Sequence, residues 1–174
     1  MFFHRIERLN NKTTIKEKME KALEDQYYTI IPLVNPNRAA GKFLMDQKQS
    51  EVISDYSGAN VNIFYTIEGL KSEFPQFIDH ILLEVRNMSG EEVKEPGLLI
   101  FFPEKEQLVT LQLADEDDIR KFRAFLFNVI DALESGDRLN NINRLKNEAN
   151  ITHIEKNKSH LIKELHLYVA KFFL

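Results

Sequence analysis

The stretch Gly97 to Ser135, GLLIFFPEKEQLVTLQLADEDDIRKFRAFLFNVIDALES, limits the folds open to this chain more than any other. Two apolar runs flank a short charged turn, and a long amphipathic pattern follows. Leu98 to Phe102 is apolar on both faces, as a central strand must be. Val109, Leu111 and Leu113 alternate with Thr110 and Gln112, which predicts a second strand with one wet face. Asp115 is the natural N-cap of the helix that follows, and Glu116 to Asp118 suit its dipole. A β-hairpin feeding a helix therefore holds five of the thirteen phenylalanines.

That helix has two characters. Ile119, Phe122, Leu126, Val129, Ile130 and Leu133 share one face, with Phe125 on its shoulder, and Gly136 closes the helix. Phe127 projects elsewhere, among Arg120, Arg123 and Asp131. Something must cover it, or it stays in water.

The rest of the chain supplies further elements. Phe2, Phe3, Ile6 and Leu9 have helical spacing. Thr14 to Glu17 reads as a capping box that opens a helix over about 14–25. Tyr27 to Val34 reads as a strand, placed at a sheet edge or bulge by Pro32. Phe43 to Lys48 reads as a short strand, and Asn60 to Glu68 as a clear one, with Val61, Ile63, Tyr65 and Ile67 on one side. Residues 72–88 fit a helix better than a strand, with Pro75 in the first turn and Gly90 near the end. Leu139, Ile142, Leu145 and Ala149 give a weaker helical pattern. A strong one runs from Leu161 to Phe173, and its terminal Phe172 and Phe173 are expected to dock.

These readings define an α+β fold. An antiparallel sheet of about five strands packs on helices, with a helical C-terminal extension. Residues 1–136 form the α+β domain and 137–174 the extension packed on it, unless 1–174 is a single domain. At 174 residues the chain is long enough to bury a sizeable core without staples.

Composition narrows the chemistry. With no cysteine, disulfides, thiolate metal sites and cysteine nucleophiles are excluded. No segment reads as a signal peptide or a membrane span, so a cytoplasmic protein is expected. Its richness in Asn, Lys and Ile suggests an AT-rich bacterium or a phage. Residues 1–136 hold 16 Lys/Arg and 23 Asp/Glu, a net charge of −7, and residues 137–174 hold 7 and 4, a net of +3. Without an arginine cluster, that tail is a poor nucleic-acid footprint.

No catalytic motif is assembled. Asn35 to Lys42 resembles the tail of a phosphate loop, but Pro36 stands at the leading glycine and Phe43 where Ser or Thr would hold magnesium. Asp46-Gln-Lys48 and Glu92-Val-Lys94 match the triplet of carboxylate nucleases, the second with Asp79 upstream. If residues 151–173 form one helix, His153, Asn157, His160 and Glu164 share a stripe, and His153, His160 and Glu164 could ligate a metal. A solvated polar face explains the same stripe without one.

The remaining expectation is a non-catalytic protein that acts by protein–protein contact, of adaptor, inhibitor or toxin-neutralising type. Phe127, Arg120, Arg123, Phe172 and Phe173 would form its contact surface, and no cofactor is expected. Its partner would be another protein, basic in character, or a second copy of the chain, with neither membrane nor nucleic acid involved. A metal-dependent hydrolase or nuclease using Asp, Glu and His groups is the alternative.

Overall fold

The computed structural model describes residues 2–6, 28–56, 61–66, 72, 74–90, 92, 94, 97–102, 107–113, 115, 117–134 and 136–154. The strands are β1 (Phe2–Ile6), β2 (Tyr28–Leu33), β3 (Val61–Thr66), β4 (Gly97–Phe102), β5 (Gln107–Gln112) and β6 (Asn150–Ile154). Helices α1 (Ala39–Met45) and α2 (Gln47–Tyr56) separate β2 from β3, and α3 (Phe74–Ser89) separates β3 from β4. Between β5 and β6 come α4 (Ile119–Glu134), α5 (Arg138–Asn143) and a 3-10 turn, Arg144–Asn147.

The fold is α+β, built on one six-stranded sheet in the order β1-β3-β2-β4-β5-β6. The β2–β4, β4–β5 and β5–β6 pairs are antiparallel, whereas β3 runs parallel to both β1 and β2. The hairpin pairs Gly97 with Gln112 and Phe102 with Gln107, as its two apolar runs predict. Pro32 lies in an interior strand rather than at an edge. It is tolerated because the β3 ladder ends at Ile30, so that only β4 pairs alongside it.

Both faces of the sheet are covered over β2 to β5. Residues of both parities are buried in β2 and β4, and in β5 the expected wet face instead holds the buried Thr110. Phe64 and Thr66, on the face of β3 opposite Val61, Ile63 and Tyr65, are also buried. One cover is a packed helical layer in which α1 touches α2 and α4, and α4 touches α5. Phe43 of α1 meets Phe122 of α4 edge-on at 6.2 Å. Apart from that layer, α3 reaches β6 and sets Phe74 edge-on against Tyr65 at 4.8 Å. Tyr65 is wholly buried and donates its hydroxyl to the Val34 carbonyl at 2.8 Å, which offsets the cost of burying it.

Three further local expectations are corrected. Residues 2–6 form a strand parallel to β3, so the apparent helical spacing of Phe2, Phe3 and Ile6 gives way to the β propensity of Phe and Ile. The strand expected over Phe43 to Lys48 is two helices meeting at Asp46. That window straddles a break and mixes two helical phases. Asp46 ends α1 with an extended backbone, then accepts from Gln49 N at 3.0 Å to cap α2. The N-cap of α4 is Asp118 rather than Asp115: its Oδ1 accepts from Lys121 N at 3.1 Å, and Asp115 binds Asp117 N in the preceding turn.

The far end of α4 follows the sequence closely. Gly136 adopts a left-handed φ of 73°, and the side chains of Arg138 and Asn141 donate to the Leu133 and Ala132 carbonyls left open at the terminus. Beyond it, residues 137–154 are continuous with the main body. Ile142 is fully buried, and β6 extends the same sheet by pairing with β5. The expected helices over 14–25 and 161–173 lie outside the described residues.

Candidate functional site

Phe127 has a neighbour that the sequence did not name. Tyr56, the last residue of α2, lies over it with ring centroids 4.4 Å apart and planes tilted by 47°. The Arg123 guanidinium, one turn earlier on α4, sits 5.4 Å from the Phe127 centroid, as its i−4 position allows. Tyr56 donates its hydroxyl to Asp131, 2.9 and 2.8 Å from the two carboxylate oxygens. Phe127 is therefore half-buried, with its cover coming from α2.

This cluster remains open on its outer side. Tyr56 is 49% exposed and Val52, one helical turn earlier, is 44% exposed. They are two of the four large hydrophobic residues most exposed among the described residues, alongside Leu83 and Ile119. The ring of Tyr56 is held by a stack and a charge-assisted hydrogen bond, so a contact made through it would lose little side-chain entropy.

The local field is negative. The Tyr56 hydroxyl is held above the ordinary tyrosine range, first by its hydrogen bond to Asp131, then by partial desolvation and by the charges of Asp131 and Glu134. Arg120 is exposed on α4, and Arg123 is engaged on Phe127. The structure thus brings Phe127, Arg123 and Asp131 together and adds Tyr56 and Val52. Phe172 and Phe173 lie outside the described residues.

The histidine stripe does not survive as drawn. His153 lies on β6, opposite Val109, and not on a helix, because Ile151, Thr152 and Ile154 form a β-branched run that pairs with β5. Its Nδ1 is 3.2 Å from Gln107 Nε2 and its Nε2 is 2.8 Å from Asn143 Oδ1. Gln107 donating to one ring nitrogen and the other ring nitrogen donating to Asn143 fits these distances, and Gln107 is itself buried. His153 ties β5, β6 and α5 together. His160 and Glu164 lie outside the described residues. Among the described residues no three His, Asp or Glu side chains converge as a metal site would require.

The other motifs take structural roles. Asn35 accepts from Asn37 N through Oδ1, and its carbonyl accepts from Arg38 N, so the segment resembling a phosphate loop is a tight turn into a seven-residue helix. Asp46 caps α2. Glu92 and Lys94 form an exposed ion pair at 3.9 Å away from any strand, and Asp79 is exposed on α3. A shallow apolar hollow of about 280 Å³ opens on another side of α4, floored by Leu113, Phe122 and Phe125.

No helix among the described residues is long and apolar enough to cross a membrane. Comparison of the chain with known protein families, curated proteins and solved structures gives no match.

Proposed function

We propose that this is a non-catalytic cytoplasmic protein, bacterial or phage in origin, that acts by contact with another protein as an adaptor, inhibitor or toxin-neutralising factor. The observation that supports this reading is the fixed aromatic cluster of Tyr56 and Phe127, continued by exposed Val52 on α2. A large ring presented at the surface and locked from behind suits recognition, because tyrosine and arginine anchors dominate binding energy at protein interfaces.

The test is in two parts. Native mass and sedimentation across concentration report self-association, and a photo-crosslinking residue at position 52 reports a partner in the host cell. The expected outcome is a discrete complex that Val52→Glu abolishes while the unfolding temperature holds. A chain that stays monomeric and forms no specific crosslink at position 52 overturns the proposal.

A further inference from the structure

The Val52–Tyr56 face carries a second feature, the sign of the charge around it. Asp55 and Asp131 are exposed and Glu134 is half-buried, and both Asp131 and Glu134 act electrostatically on the Tyr56 hydroxyl. Arg123, a cation at the stack, lies against Phe127. The exposed surface is thus an apolar step, Val52 to Tyr56, bordered by carboxylates, in a chain whose net charge is −4.

From this we infer that the partner presents a cationic, amphipathic segment: an arginine or lysine placed beside an aliphatic or aromatic side chain. The cation has two complementary sites here. The outer face of the Tyr56 ring offers a cation–π contact, and Asp131 and Asp55 offer charge-assisted hydrogen bonds. The apolar side chain of the segment would lie on Val52. An acidic segment would meet like charge at the same place, so the surface discriminates by sign as well as by shape. This inference rests on the protein-contact reading above and specifies the chemistry of the partner.

Two synthetic amphipathic helical peptides with the same leucine face, one bearing arginines and the other glutamates, provide the probe. Binding of each to the full chain is measured by calorimetry at two ionic strengths and located by amide chemical-shift changes. The arginine peptide is expected to bind, to weaken as salt rises, and to shift amides around residues 52–56 and 127–131. Tyr56→Ala should weaken it about tenfold, in the range of an anchor residue. Asp131→Asn should weaken it about threefold, in the range of a rim charge. Tyr56→Phe, which keeps the ring, should weaken it less than Tyr56→Ala. Asp79→Asn on α3 controls for general attraction of a cation to an acidic protein and should change nothing.

Equal binding of the glutamate peptide, binding of neither, or indifference to Tyr56→Ala and Asp131→Asn would each overturn the inference. The two proposals fail separately. A crosslinked partner that meets position 52 with an acidic or uncharged surface removes the cationic segment and leaves protein contact standing, whereas the absence of any crosslinked partner removes protein contact itself.

Discussion

The Tyr56 hydroxyl, which donates to Asp131, is held above the ordinary tyrosine range. A tyrosine held above its ordinary pKa by a carboxylate keeps its proton longer in the folded chain than in the unfolded one. The sign follows from linkage: the stabilisation is fully present below the unfolded value of about 10 and is lost as pH rises through the higher folded value. The ultraviolet titration of the wild type minus that of Tyr56→Phe should therefore show one phenol ionising later than the ordinary range. Asp131→Asn should move that phenol back down; a phenol that titrates normally in the wild type contradicts the hydrogen bond. A second residue-scale expectation concerns Thr29 and Thr110. Their hydroxyls are buried without hydrogen-bond partners, and the strand register sets them on one face of the sheet, on either side of Leu99 and Phe101. Replacing an unpaired buried hydroxyl with a methyl group removes a desolvation cost of about 1–3 kcal/mol. Thr110→Val should leave stability unchanged or raise it in a denaturant titration, and a clear loss would show that the hydroxyl is satisfied.

Among the elements, α1 carries a glycine packed directly on backbone, Gly41. A Cβ at Gly41 would come within 2.5 Å of the Pro36 Cα and would also overlap the Asn35 carbonyl. Both obstacles are backbone of the turn that starts α1, so neither can swing aside. Gly41→Ala should cost about 1–3 kcal/mol, the range for overpacking a tight site, despite alanine's better helix propensity. Urea unfolding measures this, and a stabilised variant would mean that the turn moves freely. This helix also shows where sequence legibility ends. Elements with one clear period, the β4–β5 hairpin, β3 and α4, could be read directly from apolar spacing, whereas α3 was only the better of two fits. The short pieces could not. Phe43 and Leu44 are both buried, and across the Asp46 break they resemble a strand. His153 sits in a five-residue strand that follows helical turns, where β-branched Ile151, Thr152 and Ile154 were the only local signal. Of the contact cluster, Phe127 with Arg123 and Asp131 was visible on a helical wheel. Tyr56 was not, because it lies 71 residues earlier in the chain, and only the packing of α2 against α4 brings it there.

At the scale of the whole molecule, the sheet is made of two unlike halves that meet at β2, which pairs parallel with β3 and antiparallel with β4. This division has a consequence for the order in which the fold assembles. Gly97 and Gln112 mark the wide end of the β4–β5 pairing, so that ladder closes only a short loop. Phe2 pairs with Asn62, about sixty residues away, and β1 adds to the sheet only after β3 is in place to receive it. Because closing a longer loop costs more entropy before any contact repays it, the β4–β5 hairpin should nucleate. The pairing of β2 with β4 spans still more chain than that of β1 with β3, but β2 is held by two neighbours. The β1 edge, held by β3 alone, should join last. The same order read backwards is the order of opening. Native-state hydrogen exchange should find the β1–β3 amides the least protected of the sheet and those of β4 the most, with β4 approaching the free energy of global unfolding. Uniform protection across all six strands would instead describe a sheet that opens only as a unit.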